Sequence, residues 1–502
     1  MKISVLEWLE KTAEDFNDKA AYSDEENTLT FSQVKNYAQN IGSALCEKGV
    51  YKKPIAVFSG RNVMTVAAFL GVVYSGCSYA PIDIKLPQAR ITAILETLKP
   101  SIVLTEKENY DFVRTLGFTE TEIVIIEEAA AHEKDMAKLN FARRFANEND
   151  PLYIIFTSGS TGKPKGVITS HHSLMCYIDA YSTVMGIDSN DILGNQSPLD
   201  YIAAIRDIYV PLRYGCSTVI IPKMYFSSPA KLFDFMNKEK VTSVGWSVSA
   251  LTVPTSLGAF EHGKPEYLKK ICFSGSVMPG KCLKAWQENL PDALFVNQYG
   301  PTEATASCTY YIVAEKVEDD TVLPIGLPYR DYNVFLLNED NTATSFGEEG
   351  EICVSGPCLA LGYYNDPERT KAAFVQNPLN SSYREIIYKT GDIGAIREDG
   401  MLEFHGRKDR QIKHLGHRVE LDEVETAAGR IDGVRECSVV YNKEKETIWL
   451  FYTGMATMKE IAVELRKYLP GFMVPRKIKK IEEIPRLPNG KIDINTLKNF
   501  TK

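Results

Sequence analysis

Leu152-Tyr153-Ile154-Ile155-Phe156-Thr157-Ser158-Gly159-Ser160-Thr161-Gly162-Lys163-Pro164-Lys165-Gly166 runs from an apolar strand into a loop of glycines, hydroxyls and two lysines. Glycines let backbone N–H groups approach an anion, hydroxyls add donors, and lysines offset charge. The loop is not a P-loop, which needs four residues between its glycines and Ser or Thr after its Lys; here Pro164 follows Lys163. A flexible surface hairpin is the plainer alternative for a Gly/Ser/Thr loop. The added Lys-Pro-Lys-Gly favours a phosphate-binding loop on a buried strand.

Outward from this strand, short apolar runs alternate with helical patterns. Residues 54–58, 101–105, 122–126, 217–221, 271–273 and 294–296 read as strands, and 63–74, 230–240 and 280–289 as helices. An amphipathic helix opens the chain with Val5, Leu6, Leu9, Ala13 and Phe16 at helical spacing. Continuous apolar strands separated by helices imply parallel sheets covered on both faces. From about Val334 to Leu402 short strands and turn pairs such as Asp399-Gly400 suggest an antiparallel or barrel-like unit. After Asp409 the chain turns basic; residues 411–418 read as a hinge or loop, and the last 90 or so residues as a small α+β domain.

With 502 residues, 44% hydrophobic and 24% charged, the chain is long enough for a large core and too apolar for disorder. Its 57 basic against 65 acidic residues, net charge −8, argue against nucleic acid as a partner. No apolar run reaches the roughly 18 residues of a spanning helix, so no membrane insertion is expected. The N-terminus lacks the apolar stretch of a signal peptide. Ten scattered cysteines with no C-x-x-C pair read as reduced, buried thiols, and a cytoplasmic location is expected.

Further motifs follow in order. They are Gly-Val-Val-Tyr-Ser-Gly-Cys-Ser-Tyr-Ala-Pro-Ile-Asp at 71–83, Asn297-Gln298-Tyr299-Gly300-Pro301-Thr302-Glu303, Gly350-Glu351-Ile352, Gly362-Tyr363, Tyr388-Lys389-Thr390-Gly391-Asp392, Gly406-Arg407-Lys408-Asp409-Arg410-Gln411-Ile412-Lys413 and Asn489-Gly490-Lys491-Ile492-Asp493. With the 152–166 loop they resemble, over nearly the whole chain, the adenylate-forming superfamily of acyl-CoA synthetases, luciferases and nonribosomal peptide synthetase adenylation domains. The wording is closest to stand-alone adenylation domains and D-alanine–carrier protein ligases. The resemblance implies an α/β fold, with a large N-terminal core over 1–408 (parallel sheets, flanking helices and a barrel-like subdomain) and a small mobile α+β C-terminal domain over 409–502.

It also implies a reaction. A carboxylate attacks the α-phosphate of ATP with Mg²⁺, pyrophosphate leaves, and a thiol captures the acyl-adenylate. By resemblance Thr157, Ser158, Gly159, Ser160, Thr161, Gly162 and Lys165 hold phosphates. Asn297, Gln298, Gly300 and Pro301 shape the nucleotide site, and Tyr299 and Phe404 offer aromatic faces to adenine. Thr302 and Glu303 position ATP, with Glu303 the metal ligand. Asp392 accepts from the ribose hydroxyls with Arg407 nearby, Lys491 bridges the reacting carboxylate and phosphate, and Asp409 is the hinge. A chain ending at Lys502 without an appended carrier leads to the expectation of a separate phosphopantetheinylated carrier protein as acceptor, with coenzyme A as the alternative. A catalytically silent nucleotide-binding regulator is the non-enzyme alternative, against which Lys491, Glu303 and Asp392 argue.

One departure bears on the substrate. Amino-acid-activating members hold the substrate ammonium with an Asp, and aligning on Gln-x-Pro and Asp207-Ile208-Tyr209 puts Ile202 there. An aliphatic side chain cannot compensate a buried ammonium. Asp200 would share a strand face with Ile202 in an extended segment and is the alternative partner. The expectation is a small carboxylic acid without an α-amino group; a D-alanine-like amino acid, or an acyl- or aryl-CoA ligase activity, is the alternative. The other matched pocket positions are Ala203, Arg206, Gly245, Cys272, Ser274, Gln298, Ala306 and Ser307. Arg206 and Gln298 add donors, unless Arg206 pairs with Asp207 or faces solvent. His414 and His417 read as part of a basic hinge rather than as metal ligands, and His171 and His172 as structural or channel-wall residues rather than bases.

Overall fold

The computed structural model describes residues 4–159, 163–486 and 492–501. The chain divides into two compact units, one of residues 1–84, 100–155 and 166–406, the other of 85–99, 156–165 and 407–502.

The first unit is built on three sheets. In the seven-stranded sheet, Ile102–Thr105, Pro54–Ser59, Ser78–Asp83 and Pro151–Thr157 run parallel, with Ala56 opposite Val103 and Tyr79 opposite Tyr153. These strands are apolar along their length because helices cover them, among them Val63–Tyr74, which is buried on all sides. Its start is fixed by the Asn62 side chain, which accepts from the Thr65 N–H. The nine-stranded sheet carries Ser217–Ile220, Ile192–Asn195, Ser243–Ser247, Lys270–Ser274 and Leu294–Tyr299 in parallel, and Thr309–Ile312 returns antiparallel on the last. The register sets Gly245 beside Cys272 and Ser274 beside Gln298. The third sheet pairs Asn333–Leu337, Glu349–Ser355, Ile386–Ile396 and Phe374–Gln376 antiparallel, with Leu402–Arg407 against the long strand. The change of pattern after Val334 is therefore a change of sheet type.

The second unit has its own apolar core, from Val419 and Val424 to Leu465 and Met473. A three-stranded sheet (Val434–Asn442, Thr447–Gly454, Lys477–Lys480) packs with helices Leu421–Gly429 and Met458–Tyr468. Residues 411–418, expected as a loop, instead belong to a hairpin of Gln411–His414 and His417–Glu420. Its turn residues Leu415 (φ 52°) and Gly416 (φ 79°) are both left-handed, the backbone that matches the twist of a tight hairpin. Among the described residues no helix is long and apolar enough to cross a membrane. All ten cysteines are free, and eight are buried.

Candidate active site

The strand Leu294–Tyr299 delivers three site residues at its C-terminal end. Asn297 Nδ2 donates to the Pro324 carbonyl at 2.8 Å, which anchors the strand end. The Tyr299 ring lies 6.2 Å from that of Phe404, and its hydroxyl donates to Asp392. Burial, reinforced by the Asp392 carboxylate, pushes the Tyr299 phenol well above its ordinary value, so it remains a donor. Asp392 sits just past Gly391 (φ 75°), its N–H donating to Thr390 Oγ1 at 3.0 Å, while Thr390 Oγ1 donates to the Ile352 carbonyl at 2.8 Å. The Asp392 backbone is thus anchored by Thr390 and its carboxylate by Tyr299.

Beyond Tyr299 the chain folds back sharply. A Cβ on Gly300 would lie 2.4 Å from Ser307 Cα, so only glycine fits there. The Cys308 N–H closes the loop on the Tyr299 carbonyl at 2.8 Å. Pro301 precedes a one-turn helix, Thr302–Ala304, in which Thr302 and Glu303 are both buried. Tyr363 donates to Glu303 Oε1 at 2.8 Å. Thr305 (φ 49°) and Ala306 (φ 72°) then take left-handed backbone, which costs a non-glycine residue on the order of 1 kcal/mol or more. That turn brings Ser307 Oγ within 3.4 Å of Gln298 Oε1.

The matched pocket positions lie on three parallel strands, on the helical turn and helix spanning Ile202–Tyr214, and in the turn after Thr302–Ala304. Ile202 (8% exposed) lies in a one-turn helix, Ile202–Ala204, that leads into helix Ile205–Tyr214. The segment is not extended, so the strand alternation that put Asp200 on the face of Ile202 does not apply; Asp200 occupies the preceding turn. Burial, then the Asp83 carboxylate, pushes the Asp200 carboxyl up to about 7. Arg206 is 1% exposed and does not face solvent. It bonds Ala203, Gly245, Cys272 and Gln298 rather than ion-pairing with Asp207, which accepts from Asn195 Nδ2 at 2.7 Å. Burial pushes the Asp207 carboxyl up to about 7, against the pull of Arg206, Asn195 and Arg61.

The second unit holds the described part of the phosphate-loop candidate. Thr157 and Ser158 are buried, as is Lys165; Ser160, Thr161, Gly162 and Lys491 lie outside the described residues. Ser158 Oγ donates to the Arg418 carbonyl at 2.9 Å, and Arg90 ion-pairs with Glu423. Thr157 Oγ1 is buried without a hydrogen-bond partner among the described residues, the condition of a donor awaiting a ligand oxygen. In the same unit Arg407 clasps Asp409 with Nε–Oδ1 at 2.6 Å and Nη2–Oδ2 at 2.8 Å. Burial works against the Asp409 charge, but Arg407 holds its carboxyl below the ordinary value.

The histidines are held by their neighbours. His417 stacks on Phe472 at 3.9 Å, and His414 meets the Tyr441 ring edge-on. The Val5 N–H donates to His171 Nδ1 at 3.4 Å, and burial lowers the His171 ring to about 4. Among the described residues no group of three or more His, Cys, Asp or Glu is placed to hold a metal ion. Sequence reasoning missed Tyr363 on Glu303, and Tyr177, Tyr181 and Tyr329 around Arg206. The spacing of Tyr177 and Tyr181, one turn apart on helix His171–Met185, was the available signal.

The family model of AMP-binding enzymes matches residues 9–364. Tyrocidine synthase 1 of Brevibacillus parabrevis is 30% identical over 98% of this chain, which spans 45% of that relative's length. A D-alanine–D-alanyl carrier protein ligase of Lacticaseibacillus rhamnosus is 29% identical over 98% of both chains. The Vibrio cholerae adenylation domain AlmE, solved in complex with glycyl-adenosine-5'-phosphate, shares the fold with a TM-score of 0.85 at 23% identity, covering 100% of this chain and 98% of that one. The ordered motifs, the sheets that carry them and the match over residues 9–364 place this chain in the AMP-binding enzyme family of adenylate-forming ligases.

Proposed function

We propose that the chain uses ATP and Mg²⁺ to activate a small carboxylic acid lacking an α-amino group, then passes the acyl group to the phosphopantetheine thiol of a carrier protein. The observation that carries the reading is the Tyr299–Asp392 and Tyr363–Glu303 pairing, which holds two carboxylates ready at the end of one strand. In the first step a substrate carboxylate oxygen bonds to the α-phosphorus and the bond to pyrophosphate breaks. In the second, the thiol sulfur bonds to the acyl carbon, AMP leaves, and the thiol proton is released. Asp392 accepts from the ribose hydroxyls, with Tyr299 fixing its other oxygen. Thr157, Ser158, Gly159 and Lys165, with the undescribed Ser160, Thr161 and Gly162, take the phosphates. Glu303 supplies one carboxylate oxygen to Mg²⁺, an ion commonly held by one or two carboxylates plus substrate phosphates.

Two features support an acid without an α-amino group. Ile202 offers no charge to an ammonium, and the Arg206 guanidinium in the helix that follows repels one. Pyrophosphate release should therefore show higher kcat/KM for a des-amino acid than for its α-amino counterpart, by about tenfold or more, given the several kcal/mol that an unpaired buried charge costs. Ile202→Asp shifts preference towards the amine, whereas Asp200→Ala does not selectively injure amino-acid activation. A wild type that prefers α-amino acids and loses the preference in Asp200→Ala refutes this reading. Offering the loaded enzyme a carrier protein or coenzyme A identifies the acceptor.

Asp409 is the proposed hinge. Besides Arg407, its Oδ1 accepts from the Gln411 N–H at 3.1 Å. Asp409→Pro removes all three of these hydrogen bonds and fixes φ near about −65°. One half-reaction, measured by pyrophosphate exchange or by thioester formation from preformed adenylate, should slow selectively; normal rates in both exclude the hinge.

A further inference from the structure

Arg206 is a fully buried guanidinium whose acceptors are all uncharged. Nε donates to the Ala203 carbonyl at 3.3 Å, Nη1 to Cys272 Sγ at 3.4 Å and Gln298 Oε1 at 3.2 Å, and Nη2 to the Gly245 carbonyl at 3.0 Å. These bonds account for four of its five N–H groups. Among the described residues no carboxylate stands within ion-pair distance of it. Asp207, its neighbour in sequence, is turned to Asn195. Taking such a cation out of water costs several kcal/mol unless an anion compensates it.

The groups around the guanidinium repeat the pattern. The Tyr181 ring lies under it at 5.6 Å, and the Tyr181 hydroxyl, the Tyr329 hydroxyl and Gln298 Nε2 are buried with no hydrogen-bond partner among the described residues. Gln298 spends its oxygen on Arg206 and Ser307, which leaves its amide N–H₂ free to donate. Gly245 gives Arg206 its place, since a Cβ there would lie 3.0 Å from Nε and 3.3 Å from the Tyr181 hydroxyl. A side chain that merely filled space would leave no reason for three unpaired donors beside it. Unpaired donors beside a positive charge whose protein acceptors are all neutral suit a carboxylate, which accepts at two oxygens.

We propose that Arg206, with Tyr181, Tyr329 and Gln298, binds a second carboxylate of the substrate, so that the acid activated is a short dicarboxylic acid. The inference rests on the adenylation reading above and narrows its substrate class. One carboxylate reacts; the other stays paired with Arg206 and sets the depth at which the acid sits.

The test is pyrophosphate exchange by the wild-type enzyme on matched acids: malonate against propionate, succinate against butyrate and succinamate, glutarate against valerate. At least one diacid should exceed its monoacid, and succinate its amide, by tenfold or more in kcat/KM. Arg206→Met should reverse the ratio by about a hundredfold, while Arg206→Lys keeps the diacid preference at reduced rate. Without ATP, the preferred diacid should raise the Tm of the wild type and not of Arg206→Met. Monoacids or succinamate serving as well as the diacids in the wild type would overturn the proposal and leave adenylation standing, with Arg206 a filler of the pocket. No exchange with any acid of either series, or with amino acids, would overturn both.

Discussion

Lys491→Ala lowers acid-dependent pyrophosphate exchange by about a hundredfold or more, the loss expected when one charge-stabilising contact is removed from a transition state. Two anions meet in that step, a carboxylate and a triphosphate, and a lysine is a compact, movable cation suited to the moment of their meeting. Thiol transfer from a chemically prepared acyl-adenylate involves no such meeting and keeps most of its rate. Single-turnover measurement of both halves in the same variant makes the comparison, with the Tm as a control for folding. Equal loss in both halves would remove Lys491 from the first step.

Asp392→Ala raises the KM for ATP by about tenfold to a hundredfold, because hydrogen bonds to a charged group contribute about 1.5–3 kcal/mol each. Tyr299 loses its bond to the carboxylate in the same variant, which adds to the damage. Tyr299→Phe separates the two effects: it keeps the carboxylate and should change the KM for ATP by less than Asp392→Ala. A larger change in Tyr299→Phe would mean that the pair serves packing rather than nucleotide binding.

The parallel sheets were legible because covered strands are apolar at every position, and Pro54–Ser59 or Ser78–Asp83 need no alternation to be recognised. The hairpin at 411–420 was not, because its turn uses Leu415 at φ 52°, where a reader looks for Asn or Gly. Asp200 and Ile202 were misplaced for a related reason. Two residues apart means one face only in a strand, and this stretch is a turn followed by a helical turn. The Tyr299–Asp392 pair joins positions 93 apart, a proximity no local pattern contains. The donors around Arg206 were hidden differently: tyrosines at helical spacing read as core, and only coordinates show that their hydroxyls end without partners.

Gly245 and Arg206 are in tight contact, and this orders the routes by which substrate choice can change over generations. A Cβ at 245 presses on the guanidinium at 3.0 Å while Arg206 is present, so side chains larger than alanine there are disfavoured until Arg206 shortens. Shortening Arg206 first opens space and removes the charge in a single substitution, after which 245 is free to diversify. The reverse order passes through a crowded pocket. Ser274, two residues on from Cys272 along the strand Lys270–Ser274, makes no hydrogen bond to Arg206 and carries no such constraint. Descendants that accept bulky neutral acids should therefore differ from this chain at 206 before they differ at 245.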